Sequence, residues 1–310
     1  MQPSQLSSGD LTADRRADYA KMLDEGGEPA AAAELMEQAL ELAPRWAAGW
    51  FRLASYREKA GETRGAADAY RTVLEFDASD VFGAGLKLAL LGEAATPDQP
   101  PSRYVERLFD DYADRFETSL VEKLDYSVPR KLAELIATTG QDYRLAVDLG
   151  CGTGLLGPEI RGRVDRLEGF DLSQNMLAKA AEKQVYDHLA QADLSLDAEA
   201  SGLFADSGRH RANLITAADV LMYLGNLENT FGLVALLAAA GAVFAFSVED
   251  AGTPDGFHLA PSLRYAHSEA HVRGLCDRHG FEVVEIGRST IRKDGGKPIA
   301  GILFLTRKSA

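Results

Sequence analysis

Between Ala146 and Gly157 the chain reads AVDLGCGTGLLG, the segment that most restricts its fold. Ala146 to Leu149 form the apolar end of a buried strand, and Leu155 opens an apolar helix face. Between them Gly150, Gly152 and Gly154 let the backbone bend sharply and approach a ligand with no Cβ in the way. A strand that feeds a helix through such a turn is the first step of a parallel sheet, because the helix carries the chain back for the next strand.

The downstream pattern continues that alternation. Strands are expected at 144–149, 166–171, 186–190, 212–217, 241–248, 281–289 and 300–307, with helices near 153–162, 174–183, 227–239 and 268–279. The last two strands differ, since Asp294-Gly295-Gly296 between them calls for an antiparallel hairpin at the sheet edge. The fold class is therefore α/β, a Rossmann-like, mostly parallel sheet with an antiparallel last strand and helices on both faces.

Upstream the chain is helical from Ala17 and repeats. A shift of 34 lays Ala20 on Ala54, Gly27 on Gly61, Glu28 on Glu62, Ala32 on Ala66, Met36 on Tyr70 and Leu40 on Leu74. That is the period of tetratricopeptide (TPR) helix pairs. A generic helical hairpin packed on the larger domain is the plainer alternative. Trp50 and Leu53 take large apolar positions, Pro44 closes the first repeat, and Asp80 starts a third, incomplete helix through about Leu91. The expected organisation is a disordered tail (1–16), a small all-α TPR-like domain (17–91), a linker (92–102) with three prolines, and a larger domain (103–310). The larger domain begins with two amphipathic helices (103–137) and has its core at 143–310. Tyr104, Leu108, Tyr112 and Phe116 recur on one face of the first helix.

A formal charge of −14 and a pI near 4.9 argue against a nucleic-acid partner or an anionic membrane surface. Cys151 and Cys276 are the only cysteines, too few for a disulfide framework, and no His/Cys cluster has metal-ligand spacing. The N-terminus lacks a signal peptide's basic start and apolar run, and no segment reaches the roughly 20 apolar residues of a membrane span. The expected location is the cytoplasm; the oligomeric state is left open.

Gly152 to Gly157 is also a literal G-x-G-x-x-G, with Asp171 about 20 residues on, which invites a dinucleotide reading. Three features point elsewhere. Asp148 would repel a pyrophosphate at the helix N-terminus and suits a ligand bearing an ammonium and a sulfonium. Asp193, after the third strand, can accept a hydrogen bond from an adenine amino group while Leu194 packs on the ring. Thr216-Ala217-Ala218-Asp219 ends the fourth strand with small residues, leaving room at the sheet's carboxyl edge.

The segment from about 143 to 307 resembles the class I S-adenosylmethionine-dependent methyltransferases. DLGCGTG, GFDLSQNML (169–177), QADL (191–194) and AADVLMYL (217–224) match four motifs of that family. The resemblance implies that Gly150, Cys151 and Gly152 line the methionine portion of the cofactor, with Asp148 near its amino group. It further implies Asp171 on the ribose, Leu172 and Met176 flanking adenine, Asp193 with Leu194 at the adenine edge, and Ala217 and Ala218 near the sulfonium. With the N-terminal repeats, YVERLFDDYADRFE (104–117) and LDYSVP (124–129) are similar to bacterial predicted methyltransferases containing TPR repeats. In related enzymes the first of these helices lies over the cofactor, which would bring Tyr112 or Phe116 to the methyl donor.

Methyl transfer is an in-line displacement that needs orientation more than acid–base help. The candidate bases are His258, His267, His271 and Tyr265, in the segment after the fifth strand where a substrate loop belongs; His267 comes first and Tyr265 second. The plainer readings are His267 as the cap of the helix from Ser268, Tyr223 as core, Cys151 as inert packing, and Asp110, Asp111 and Asp114 as a solvated acidic face. The expected activity is methyl transfer from S-adenosylmethionine, giving S-adenosylhomocysteine, to a small molecule or a protein side chain. The TPR-like repeats would contact a protein or peptide. The alternative is a TPR-based interaction module whose S-adenosylmethionine site is regulatory or vestigial.

Overall fold

The computed structural model describes residues 6–115, 126–205, 208–294 and 296–309. The chain forms two compact units, 1–104 and 105–310.

The first unit is a run of helices: α1 (Leu11–Glu25), α2 (Pro29–Leu42), α3 (Ala47–Lys59), α4 (Thr63–Phe76) and α5 (Ala84–Leu90), each packed on the next. α2 and α4 are offset by 34 residues at both ends. Their entry turns also match: Gly27 and Gly61 are left-handed (φ +84° and +81°). The amides after them, Glu28 and Glu62, donate to Leu23 O and Arg57 O at 2.9 and 2.8 Å. A left-handed glycine closes a helix this way because no Cβ opposes it. Ala13, Ala17, Ala20, Ala32, Ala54 and Ala66 are fully buried where the helices meet. Asp80 caps α5, accepting from the amides of Ala84 (2.6 Å) and Gly85 (2.9 Å).

The second unit holds a mixed sheet. In order along the sheet, β3 (His188–Gln191), β2 (Val164–Asp171), β1 (Tyr143–Leu149), β4 (Ala212–Ala217) and β5 (Ala238–Asp250) run parallel. β5 then pairs with β9 (Lys297–Lys308), antiparallel, and β9 with β8 (Phe281–Asp294) in the edge hairpin. Side chains alternate between two cores. Phe244, Phe246 and Val248 join Phe231, Leu237, Val272 and Leu275 from α10 (Glu228–Leu237) and α11 (Glu269–Arg278) on one face. Val243 and Ala245 join Val128, Leu132 and Ile160 from α7 (Val128–Ala137) and α8 (Gly157–Ile160) on the other.

Several expectations need correction. The tail expected to run through residue 16 stops at Asp10, which caps α1 by accepting from the amides of Thr12 (2.8 Å) and Ala13 (2.9 Å). The helix expected at 153–162 is only α8, because Gly152 and Gly154 at φ +55° and +81° exclude a right-handed helix before residue 155. The loop after β5 contains a small hairpin, β6 (Phe257–Leu259) and β7 (Tyr265–His267). The aromatic stripe on α6 (Ser102–Tyr112) does not face one partner: Leu108 is exposed and Tyr104 packs over Gly83. Phe116 and the first part of the helix expected over 119–137 lie outside the described residues; within them the helix begins only at Val128, with Pro129 in its first turn and Tyr126 and Ser127 outside it.

The small hairpin bears directly on the site. Glu249 of β5 pairs with Gly301 on one side and Ala266 on the other, so β7 lies on the same side of β5 as β4. β4 stops pairing at Ala217. The β6–β7 hairpin therefore continues the sheet just past the carboxyl end of β4.

Candidate active site

The turn after β1 places two carboxylates beside its glycines. Asp148, almost wholly buried, accepts from Thr216 Oγ1 at 2.7 Å and from Tyr186 OH at 2.8 Å. Asp171, at the end of β2, accepts from the amides of Gly152 (2.8 Å) and Ser173 (2.9 Å). Among the described residues neither carboxylate has an ion-pair partner. Burial pushes both up, each to about 6, against the pull of those hydrogen bonds.

The glycines are needed for space as well as conformation. A Cβ on Gly150 (φ +62°) would stand 2.4 Å from Val220 Cγ2. Cβ atoms on Gly154, Gly157 or Gly169 would each come within 2.8–2.9 Å of the Tyr186 ring. Tyr186 thus occupies the hollow that these three glycines leave, and its hydroxyl fixes Asp148. Thr153, in the same turn, is buried with no partner for its Oγ1 among the described residues. Burial raises the Cys151 thiol well above its ordinary value, in keeping with a packing role.

The adenine-side candidates lie next along the edge. Ser173 caps α9 (Gln174–Glu182) through the amide of Met176 (3.1 Å), and Met176 is fully buried. Leu172 is half-buried. Asp193 accepts from the amide and hydroxyl of Ser195 at 2.9 and 2.6 Å, while Leu194 is buried.

α6 lies against this edge. Ser173 Oγ donates to Asp110 at 2.5 Å, and Asn175 Nδ2 to the Asp110 carbonyl at 3.3 Å. Lys179 pairs with Asp114 at 3.1 Å, and Phe109 meets Tyr223 edge to face, 4.8 Å between centroids. Of the three carboxylates in the acidic run, Asp110 is therefore held in contacts with Ser173 and Asn175, while Asp111 and Asp114 stay solvent-exposed. Tyr112 ends α6 half-buried.

Past β4, Ala217 is fully buried and Ala218 half-buried. Asp219 follows in the left-handed region (φ +61°), its amide donating to Ser247 Oγ at 2.9 Å. Both its oxygens accept from Arg292 Nη1 (2.8 and 2.9 Å), and Arg292 Nη2 pairs with Glu249. Tyr223 accepts from Arg264 Nε at 3.1 Å. Burial raises Tyr126 well above its usual range, with Asp219 and Tyr223 near enough to add to the shift.

The first-choice bases are buried. His267 lies in β7, fully buried; its Nε2 donates to Gly225 O at 2.8 Å, and desolvation lowers it to about 4. The helix cap is Ser268, whose Oγ accepts from the His271 amide (3.1 Å), so His267 does not cap α11. Tyr265 is likewise fully buried. Sequence reasoning missed Tyr186, Arg292, Glu249 and Arg264, which stand far in sequence from the atoms they touch. Only Tyr186 left a signal, the glycine at 169 within an apolar strand.

The family model described as "Methyltransferase domain" matches residues 120–286, more than half of the chain. The chain belongs to this family of methyltransferase domains, and its cofactor is S-adenosylmethionine. A curated relative, the ubiquinone biosynthesis O-methyltransferase of Azoarcus sp. (strain BH72), is 28% identical over 143 residues, 45% of this chain and 59% of that protein. The match thus spans less than two thirds of the relative's length. Two solved structures share the fold. The 1,6-didemethyltoxoflavin-N1-methyltransferase of Burkholderia thailandensis has a TM-score of 0.53 at 16% identity, covering 70% of this chain and 94% of that one. The magnesium protoporphyrin IX methyltransferase of Synechocystis PCC 6803 has a TM-score of 0.50 at 19% identity, covering 70% and 99%. Among the described residues no helix is long and apolar enough to cross a membrane.

Proposed function

We propose that residues 105–310 transfer a methyl group by in-line displacement onto a heteroatom of an acceptor held between β4, α6 and the β6–β7 hairpin. One observation carries the reading: Asp148 and Asp171, two buried carboxylates with no cation paired to them among the described residues, flank a turn whose glycines leave no room for side chains. That donor set fits a ligand with an ammonium and a ribose diol, and it would repel a diphosphate. S-adenosylmethionine, when bound, supplies an activated methyl on a sulfonium. Asp148 would hold its ammonium, Asp171 its ribose hydroxyls, and Gly150, Cys151 and Gly152 the methionine chain. Leu172, Met176, Asp193 and Leu194 would hold adenine, with Ala217 and Ala218 leaving space at the sulfur.

The chain's own residues then orient and exclude. Thr216 and Tyr186 keep Asp148 in place. Phe109, Asp110 and Tyr112 of α6 shield the edge from water. Arg292 clamps Asp219 and Glu249, fixing the turn that presents Tyr223 and Arg264 to the acceptor. His267 positions the Gly225 turn; with one nitrogen committed and the ring buried, it is a support and not a base. The relative named for O-methylation favours an oxygen of a small molecule as the acceptor atom. The 34-residue repeat favours a TPR-type first unit that contacts protein.

Calorimetry on the full chain tests the reading. S-adenosylmethionine and S-adenosylhomocysteine should both bind, and Asp148→Asn should weaken the former by about tenfold or more. Failure of both ligands to bind the folded wild-type chain overturns it.

A further inference from the structure

The first unit leaves one helix face open, and the repeat indicates that this position is one that gets covered. Shifting by 34 puts Tyr19 on Leu53 and Met22 on Tyr56. Leu53 and Tyr56 are buried, in a helix packed against the preceding α2. Tyr19 and Met22 of α1 are 62% and 63% exposed.

Beside Tyr19 runs a seam. Leu11, Arg15, Asp18 and Met22 are spaced four, three and four apart, so they form one stripe along α1 with the spacing of a coiled-coil contact line. All four are exposed, Leu11 at 78%. The stripe is its own complement. Turned end for end about a point between Arg16 and Ala17, Leu11 falls opposite Met22 and Arg15 opposite Asp18.

We propose that α1 packs antiparallel on α1 of a second copy of this chain, forming a two-fold dimer along this seam. Symmetry makes each contact twice: two Leu11–Met22 pairs at the ends and two Arg15–Asp18 pairs in the middle, with Tyr19 covering the flank. The occupant is a second copy because the charge order matches itself, and a two-fold arrangement closes without leaving a free end. Four residues a side make a short interface, so association is reversible and concentration-dependent. The proposal rests on no feature of the methyl-transfer site.

Sedimentation equilibrium on the full chain, over a hundredfold range of concentration (on the order of 1–100 μM) at about 0.15 M salt, provides the test. The mass should rise from the monomer's 33.4 kDa towards twice that value. Arg15→Asp alone, or Asp18→Arg alone, sets like charges opposite at both related positions and should weaken self-association by about tenfold or more. Mixing the two variants recreates opposite charges at every position and should restore the dimer, which a merely structural role for either residue does not predict. Circular dichroism should be unchanged, since both side chains face solvent. A wild-type chain that stays monomeric throughout overturns the proposal, as do single variants that associate like wild type or a mixture no better than its components.

Discussion

At the scale of single residues the site is governed by desolvation. Asp148 and Asp171 are held near a pKa of 6 because burial outweighs the hydrogen bonds that favour their charged forms. The consequence for stability has a definite sign. A carboxylate whose folded pKa is raised binds more protons folded than unfolded, so these two groups favour the fold below about pH 4 and lose that contribution as pH rises to about 6. His267, lowered to about 4, acts oppositely, since the unfolded imidazole takes up a proton below about pH 6.5 while the buried one stays neutral. The two effects offset each other in the melting temperature of the ligand-free chain. Ligand-induced stabilisation separates them: the rise in Tm from saturating S-adenosylmethionine should be larger at pH 7.5 than at pH 5, where both carboxyls are largely protonated. Equal shifts at the two pH values would contradict an ionised Asp148 as the ammonium's partner. Gly157 makes a second, purely steric case. Its backbone is unstrained, but an added methyl meets Tyr186 and Val185 at 2.9 Å. Gly157→Ala should therefore cost about 1–3 kcal/mol in urea unfolding, the range for an overpacked core.

At the scale of elements, what the sequence made legible was what local chemistry encodes. The five parallel strands and the two strands of the edge hairpin follow from apolar runs, and the 34-residue shift that lays Gly27 on Gly61 records the helix pairs. The misses have a common cause. The β6–β7 hairpin is three residues a strand and exists because Glu249 and Asp250 offer it an edge to pair with, which no local pattern records. Tyr186 reaches Asp148 across 38 residues and Arg292 reaches Asp219 across 73, so both belong to tertiary packing. Arg292 shows what such a contact means energetically. It enters from β8, nearly wholly buried, and its guanidinium stands between two buried carboxylates on β5 and the β4 turn. Arg292→Met leaves Asp219 and Glu249 facing each other without that cation, and should cost about 3–5 kcal/mol at pH 7.5. Burial already raises both acids, so they protonate readily once the arginine is gone. The deficit should accordingly shrink at pH 5, and urea titrations at the two pH values measure the difference. A loss independent of pH would assign the cost to packing and not to charge.

At the scale of the whole molecule, the two units have separate interiors. Among the described residues the core of the first draws on residues 13–88 and the two cores of the second on residues 128–305, with none in common. A helix-pair stack is held by neighbour-to-neighbour contacts, whereas the mixed sheet is held by strand pairing over long sequence separations. Units of such different construction have no reason to melt at one temperature, so a single two-state transition is not expected of the full chain. Differential scanning calorimetry should resolve two transitions. Because the carboxylates and glycines of the candidate site all lie in 105–310, only one of the two should move on adding S-adenosylmethionine. At a hundred times the dissociation constant the linkage amounts to about 2.7 kcal/mol, which for a unit of this size is a rise of several degrees. The other transition should hold its position with cofactor and, if α1 pairs with its copy, rise with protein concentration instead. Cofactor and concentration would then act on different transitions of one chain, and a thermogram in which both shift the same transition would place the two effects in a single cooperative unit.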